Sequence, residues 1–177
     1  MAERSCKREL LPGKAMDSRT RESRIIDYNK GKQLLFDEIE VGMRFPEVFR
    51  QLSPQVCQRY CQVLGAEDEV YSSREAAVAA GYRGVIAPPS IVCMYGVPSV
   101  LLSGYDPKVI PPPGNIHYSQ SYEFIEAIRA DDRLGIRSTV VAKEIRRERK
   151  HVTIESEYRS GEERVLAVGR ITAIWSR

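Results

Sequence analysis

The sequence predicts an α+β domain in which a curved antiparallel sheet wraps around a central apolar helix. Two observations carry this. The last third of the chain reads as consecutive strands, and in "KHVTIESEYRS" Val152, Ile154, Ser156 and Tyr158 alternate with Thr153, Glu155 and Glu157, the period of a half-buried antiparallel strand. Residues 85–102, "VIAPPSIVCMYGVPSVLL", form an 18-residue run without charge. The helix they open, from about 90 to 103, is apolar on every side and is expected to be surrounded by protein. Three prolines and one glycine interrupt the run and amphipathic segments follow, so no membrane span is expected.

In chain order, "FDEIEVGMRF" turns at Gly42 and leads into a strand near residues 44–52. "LSPQVCQRYCQVLG" is a helix with Ser53 as its cap, Pro54 in its first turn and Gly65 at its stop. Val56, Tyr60, Val63 and Leu64 form its apolar stripe. "SREAAVAAG" is a second short helix, with Ser72 and Glu75 in capping-box spacing and Gly81 at its end. After "APPS" the apolar helix begins, to be kinked or divided at Pro98. "GYDPKVIPPPG" is an extended loop. Strands follow at 120–128, 132–145, 150–160 and 163–175, with "SGEE" turning the last hairpin.

At 177 residues the chain has room for one domain with a core and too little for two. Residues 1–34 hold nine Lys/Arg against five Asp/Glu, so this stretch carries +4 of the net +3 and the body, 35–177, is near neutral. The first 34 residues are expected to be a flexible basic arm, without the apolar core of a signal peptide and too acidic for a transit peptide. A near-neutral body offers no basic face for nucleic acid. The four cysteines show neither metal spacing nor a disulfide framework, which suits reduced thiols in the cytoplasm.

Five segments in order, the helix ending "QVLGAEDEVY", then "AAVAAGYRGVIAPPS", "NIHYSQSYEF", "AIRADDRLGIRSTV" and "ERVLAVGRITAIW", resemble the MaoC-like acyl-thioester hydratases and dehydratases of the hotdog fold. "AAGYRGVIAPPS" and "IHYSQ" are most similar to the N-terminal half of two-hotdog hydratases, the half that lacks the catalytic dyad. Catalytic members carry an Asp in the turn after the first helix and a His five residues later. This resemblance places Ala66 and Tyr71 at those positions. A methyl group transfers no proton, and a phenol with a pKa of about 10 does so only under strong perturbation. The family's carbonyl-polarising N–H falls on Pro89, which has none.

The resemblance implies a non-catalytic subunit of an (R)-specific 2-enoyl-CoA hydratase or 3-hydroxyacyl-thioester dehydratase, paired with a catalytic hotdog chain and helping to form the acyl channel. Tyr71, Pro89, Ser90 and His117 are then the candidate substrate-lining residues. Two other readings stay open: a homodimeric hydratase or thioesterase with acid/base work relocated to Asp68, Glu69 or His117, and a module that only binds an acyl thioester. For the acids the plain alternative is a solvated turn, and for His117 a main-chain hydrogen bond. His151 is expected to be an exposed turn histidine. "KEIRRERK" either solvates a hairpin end or meets the phosphates of a coenzyme A or carrier-protein arm. No cofactor beyond the thioester and no metal is expected.

Overall fold

The computed structural model describes residues 32–95, 109–110, 112–161 and 163–176. Two short strands, β1 (Lys32–Gln33) and β3 (Val109–Ile110), pair in parallel. The main sheet is antiparallel and runs in the order β2-β5-β6-β7-β4, from β2 (Val48–Gln51), β4 (Ile116–Phe124), β5 (Arg133–Arg146), β6 (Arg149–Arg159) and β7 (Val165–Trp175). Helices α1 (Pro54–Leu64) and α2 (Arg74–Ala79) precede a 3₁₀ turn at Pro89–Ile91 that continues as helix through 92–95. This is the α+β hotdog fold. Residues 1–31, most of the expected basic arm, and residues 96–108, with the expected break at Pro98, lie outside the described residues. No helix among the described residues is long and apolar enough to cross a membrane.

The β6 alternation is as the pattern demands: Val152, Ile154, Ser156 and Tyr158 are buried. Arg147 and Glu148, both at positive φ, make the tight β5–β6 turn, whose twist matches that of the strands it joins. One cluster of buried residues sets Ile91 and Val92 of the helix start against Leu134, Ile136, Tyr158 and Leu166 of the sheet. A second packs Phe36 and Ile39 on Val140, Val152, Ile154 and Trp175. Trp175 Nε1 also donates to the Leu34 carbonyl at 2.7 Å, which ties residue 34 to the end of β7.

Four local expectations change. In α1 the cap, Pro54 and the left-handed Gly65 (φ 65°) are as expected, but the buried residues are Cys57 and Cys61. Of the expected stripe Tyr60 is half-buried against the core, while Val56, Val63 and Leu64 stand 38%, 85% and 53% exposed. Cys57 Sγ lies 3.8 Å from the Ala130 carbonyl, an approach that suits small side chains on the inward face. At α2 the cap is Ser73, not Ser72: Ser73 Oγ accepts from the Ala76 N–H (3.2 Å) and donates to Glu75 (3.1 Å). Ser72 instead closes the preceding 3₁₀ turn with its N–H on Glu69. Strand β4 starts at Ile116 rather than near 120, because its first residues pair with the end of β7, Ile116 opposite Ile174. His151 is no turn residue; it sits within β6 and is 4% exposed.

The helix start is also covered on one side only. Ile91 and Val92 are fully buried, Pro89 and Ser90 are exposed, and Met94 is 44% exposed.

Candidate functional site

Gly65 ends α1 in a left-handed conformation, and the Ala66 N–H returns to the Cys61 carbonyl at 2.9 Å. Ala66 is thereby held at the helix end as a half-buried methyl group. Asp68 caps the 3₁₀ turn Glu69–Tyr71, its carboxylate accepting from the Val70 N–H at 3.1 Å. Val70 in turn accepts from Ile86, which fastens the turn to the segment leading into the prolines. Asp68 thus has a structural task, while Glu67 and Glu69 are exposed. The Tyr71 phenol is pushed above its ordinary value, first by burial and then by Asp68, Cys61 and Tyr82. That shift moves it further from acid or base service near neutral pH.

Tyr71 faces a cavity of about 280 Å³ that Gln58, Arg74, Val85, Arg129 and Asp131 also line. Its charges are largely spent on each other: Arg129 Nη2 meets Asp131 at 2.6 Å. None of Ala66, Asp68, Glu69, Pro89, Ser90 or His117 lines this cavity. Pro89 opens the helical turn without an N–H, and the Ser90 carbonyl accepts from Tyr60 Oη at 3.2 Å. His117 lies on β4 opposite Ala173, exposed. Of the candidate site residues, Tyr71 alone therefore faces this cavity, and Ser90 and His117 belong to other surfaces.

Residues 40–167 match the model of the FAS1-like dehydratase domain region. The chain belongs to that family. A UPF0336 protein of Streptomyces avermitilis is 28% identical to it over 109 residues, 60% of this chain and 73% of that protein. The MaoC-like dehydratase from Rhodospirillum rubrum superposes with a TM-score of 0.69 at 17% identity, over 81% of this chain and 98% of that one. The HadBC (3R-hydroxyacyl-ACP dehydratase) complex of Mycobacterium tuberculosis gives 0.62 at 15% identity, over 76% and 96%. At such identities the two structures share the fold.

This FAS1-like dehydratase-region chain also holds features the sequence reading passed over. Tyr122, on β4, stacks beside Phe124 and approaches Tyr158, with ring centroids 6.3 Å apart in each pair. Burial, then the neighbouring Cys93, pushes its phenol far above the ordinary value. Gln120 Nε2 reaches Cys93 Sγ at 4.0 Å, so β4 and the helix start meet here. The signal was Gly169: a glycine inside a strand marks a close approach, and a Cβ there would lie 2.5 Å from Tyr122 Cε1. Cys57 offers no nucleophile, because burial and Cys61 push its thiol up to about 11.

Proposed function

We propose that this chain is the non-catalytic subunit of a hotdog hydratase or dehydratase acting on 2-enoyl or 3-hydroxyacyl thioesters. The observation that supports this is a turn held by the Gly65 stop and the Asp68 cap, in which Ala66 and Tyr71, the positions that the family resemblance assigns to proton transfer, carry no group suited to it, with Pro89 at the helix start. Positioned acid/base groups contribute about 10²–10⁴-fold, and one oxyanion donor about 10²–10³-fold. A chain without them falls to background. Its part is to wall the acyl channel on the side of the Tyr71 cavity, while a second hotdog chain supplies an Asp and a His. The long exposed strand β4 supports pairing, since natural proteins seldom leave such an edge open.

The test is turnover of crotonyl-CoA. The purified chain is expected to be inactive, and Ala66→Asp with Tyr71→His is expected to leave it so, because Pro89 still lacks an N–H. Co-expression with a hotdog chain carrying Asp and His five residues apart is expected to give one complex with activity above that of the partner alone. Normal enzymatic turnover by the isolated chain would overturn the reading.

A further inference from the structure

One cavity lies apart from the dehydratase turn. It opens at the tip of the β5–β6 hairpin, has a volume of about 460 Å³, and is lined by Tyr118, Arg146, Arg147, Arg149 and His151. No carboxylate lines it. Arg146 is engaged only loosely, 3.8 Å from Glu144, and lies over the Tyr118 ring at 5.7 Å. Among the described residues neither Arg147 nor Arg149 takes part in an ion pair.

The cavity's back wall is ordered by the fold. The register of β4 against β7 slips between His117 and Ser119, leaving Tyr118 as the extra residue of a β-bulge. A bulge re-aims a side chain, and here Tyr118 meets His151 edge-on at 5.2 Å. His151 is 4% exposed, and its Nδ1 donates to the Arg149 carbonyl at 3.0 Å. That bond fixes the ring and the backbone from which Arg149 projects. The turn residues Arg147 and Glu148, both at positive φ, fix the other rim. The result is three guanidinium groups around the Tyr118 and His151 rings. Guanidinium groups match phosphate in a planar, bidentate way.

We propose that this pocket binds the phosphoryl groups of a phosphorylated ligand. Resting on the function proposed above, that ligand is the phosphopantetheine arm that carries the acyl thioester, whether on coenzyme A or on a carrier protein. The arginines hold the phosphates, and Tyr118 and His151 keep the arginine rim in place.

Calorimetric titration of the full chain with coenzyme A, phosphopantetheine and adenosine 3′,5′-bisphosphate tests this. Binding of coenzyme A that weakens at least tenfold in Arg147→Gln/Arg149→Gln is expected, and that falls as salt rises. Arg50→Gln/Arg59→Gln removes the same charge elsewhere and is expected to leave binding within about twofold, with both variants checked for native circular dichroism. Phosphopantetheine binding alone identifies the arm common to both carriers; binding of the bisphosphate identifies the nucleotide end of coenzyme A. Absence of binding by all three probes, or equal loss in both double variants, would overturn the proposal. Turnover by the two-chain complex that is indifferent to Arg147 and Arg149 removes the pocket while leaving the subunit role standing. Intact phosphate binding in a chain that never joins a hydratase removes that role instead.

Discussion

At one margin of the sheet β2 runs for only four residues, and the chain turns at once into α1. Gln51 donates to the Leu52 and Asp131 carbonyls, and Arg133 lies over the Phe49 ring at 4.7 Å. At the other margin β4 runs for nine residues with every one exposed except the half-buried Tyr122. Ile116, Tyr118 and Phe124 stand 54%, 53% and 45% exposed there. A short, charged, buttressed margin resists pairing with another chain, and a long exposed one with several large apolar side chains invites it. The contrast teaches which margin is finished within this chain and which awaits a partner under the proposed function.

The sharpest way to break that contrast is a pair of matched substitutions. Phe49 on β2 and Phe124 on β4 are 51% and 45% exposed, so a lysine costs each similar folding stability. Phe124→Lys is expected to weaken association with the catalytic hotdog chain at least tenfold, by co-purification and by sedimentation. Phe49→Lys is expected to leave it within about threefold. Equal effects at both margins would remove β4 as the contact.

A second pair compares how each margin is seated. A Cβ at Gly169 would meet Tyr122 ring carbons at 2.5 and 2.8 Å and Tyr158 at 3.3 Å. A Cβ at Gly135 would meet Glu47 Oε1 at 2.6 Å, the far end of a side chain that can swing away. Gly169→Ala is expected to destabilise by about 2 kcal/mol, as overpacking does, and Gly135→Ala by less than about 1 kcal/mol. Urea midpoints read both. Tyr122→Ala combined with Gly169→Ala should cost less than the sum of the singles, because the clash is shared.

Between the margins the sheet carries a buried polar pair, Ser138 and Ser156, with hydroxyls 2.7 Å apart. Ser156→Ala removes the hydroxyl that faces Ser138 and is expected to cost about 1 kcal/mol, whereas replacing both serines by alanine should cost less than the sum of the two single changes. Full additivity in the urea midpoints would show that the two hydroxyls are not coupled.

These elements differ in how far the sequence announced them. The β6 alternation and the Ser53, Pro54 and Gly65 signals are local, so they survive any tertiary arrangement. The inward face of α1 is not local: of its stripe of Val56, Tyr60, Val63 and Leu64 only Tyr60 packs against the core, and Cys57, close to Ala130, and Cys61 are buried instead. His151 was misplaced for the same reason, since its burial depends on a bulged tyrosine some thirty residues earlier in the sequence. The turn positions Ala66, Asp68 and Tyr71 were legible as one unit because a helix stop and a cap bound them. That Ser90 and His117 lie elsewhere than the Tyr71 cavity depends on chain paths that no spacing encodes.

The smallest effect concerns the helix that buttresses β2. Cys57 is fully buried beneath α1, and burial, then Cys61, raises its thiol from an ordinary 9.0 to about 11. In the unfolded chain the proton leaves first, so between pH 9 and 11 the unfolded state binds fewer protons than the folded one. Stability from this group is complete below pH 9 and declines as pH rises toward 11. Tyrosines and lysines titrate over the same range, so the comparison must be with Cys57→Ser, which keeps those groups and cannot lose a thiol proton. The parent is expected to lose about 1 kcal/mol more than the serine variant between pH 8 and pH 10, in urea unfolding under reducing conditions. Parallel pH profiles would show that Cys57 is reached by solvent in the folded state, and that α1 seals its margin less firmly than the buried thiol indicates.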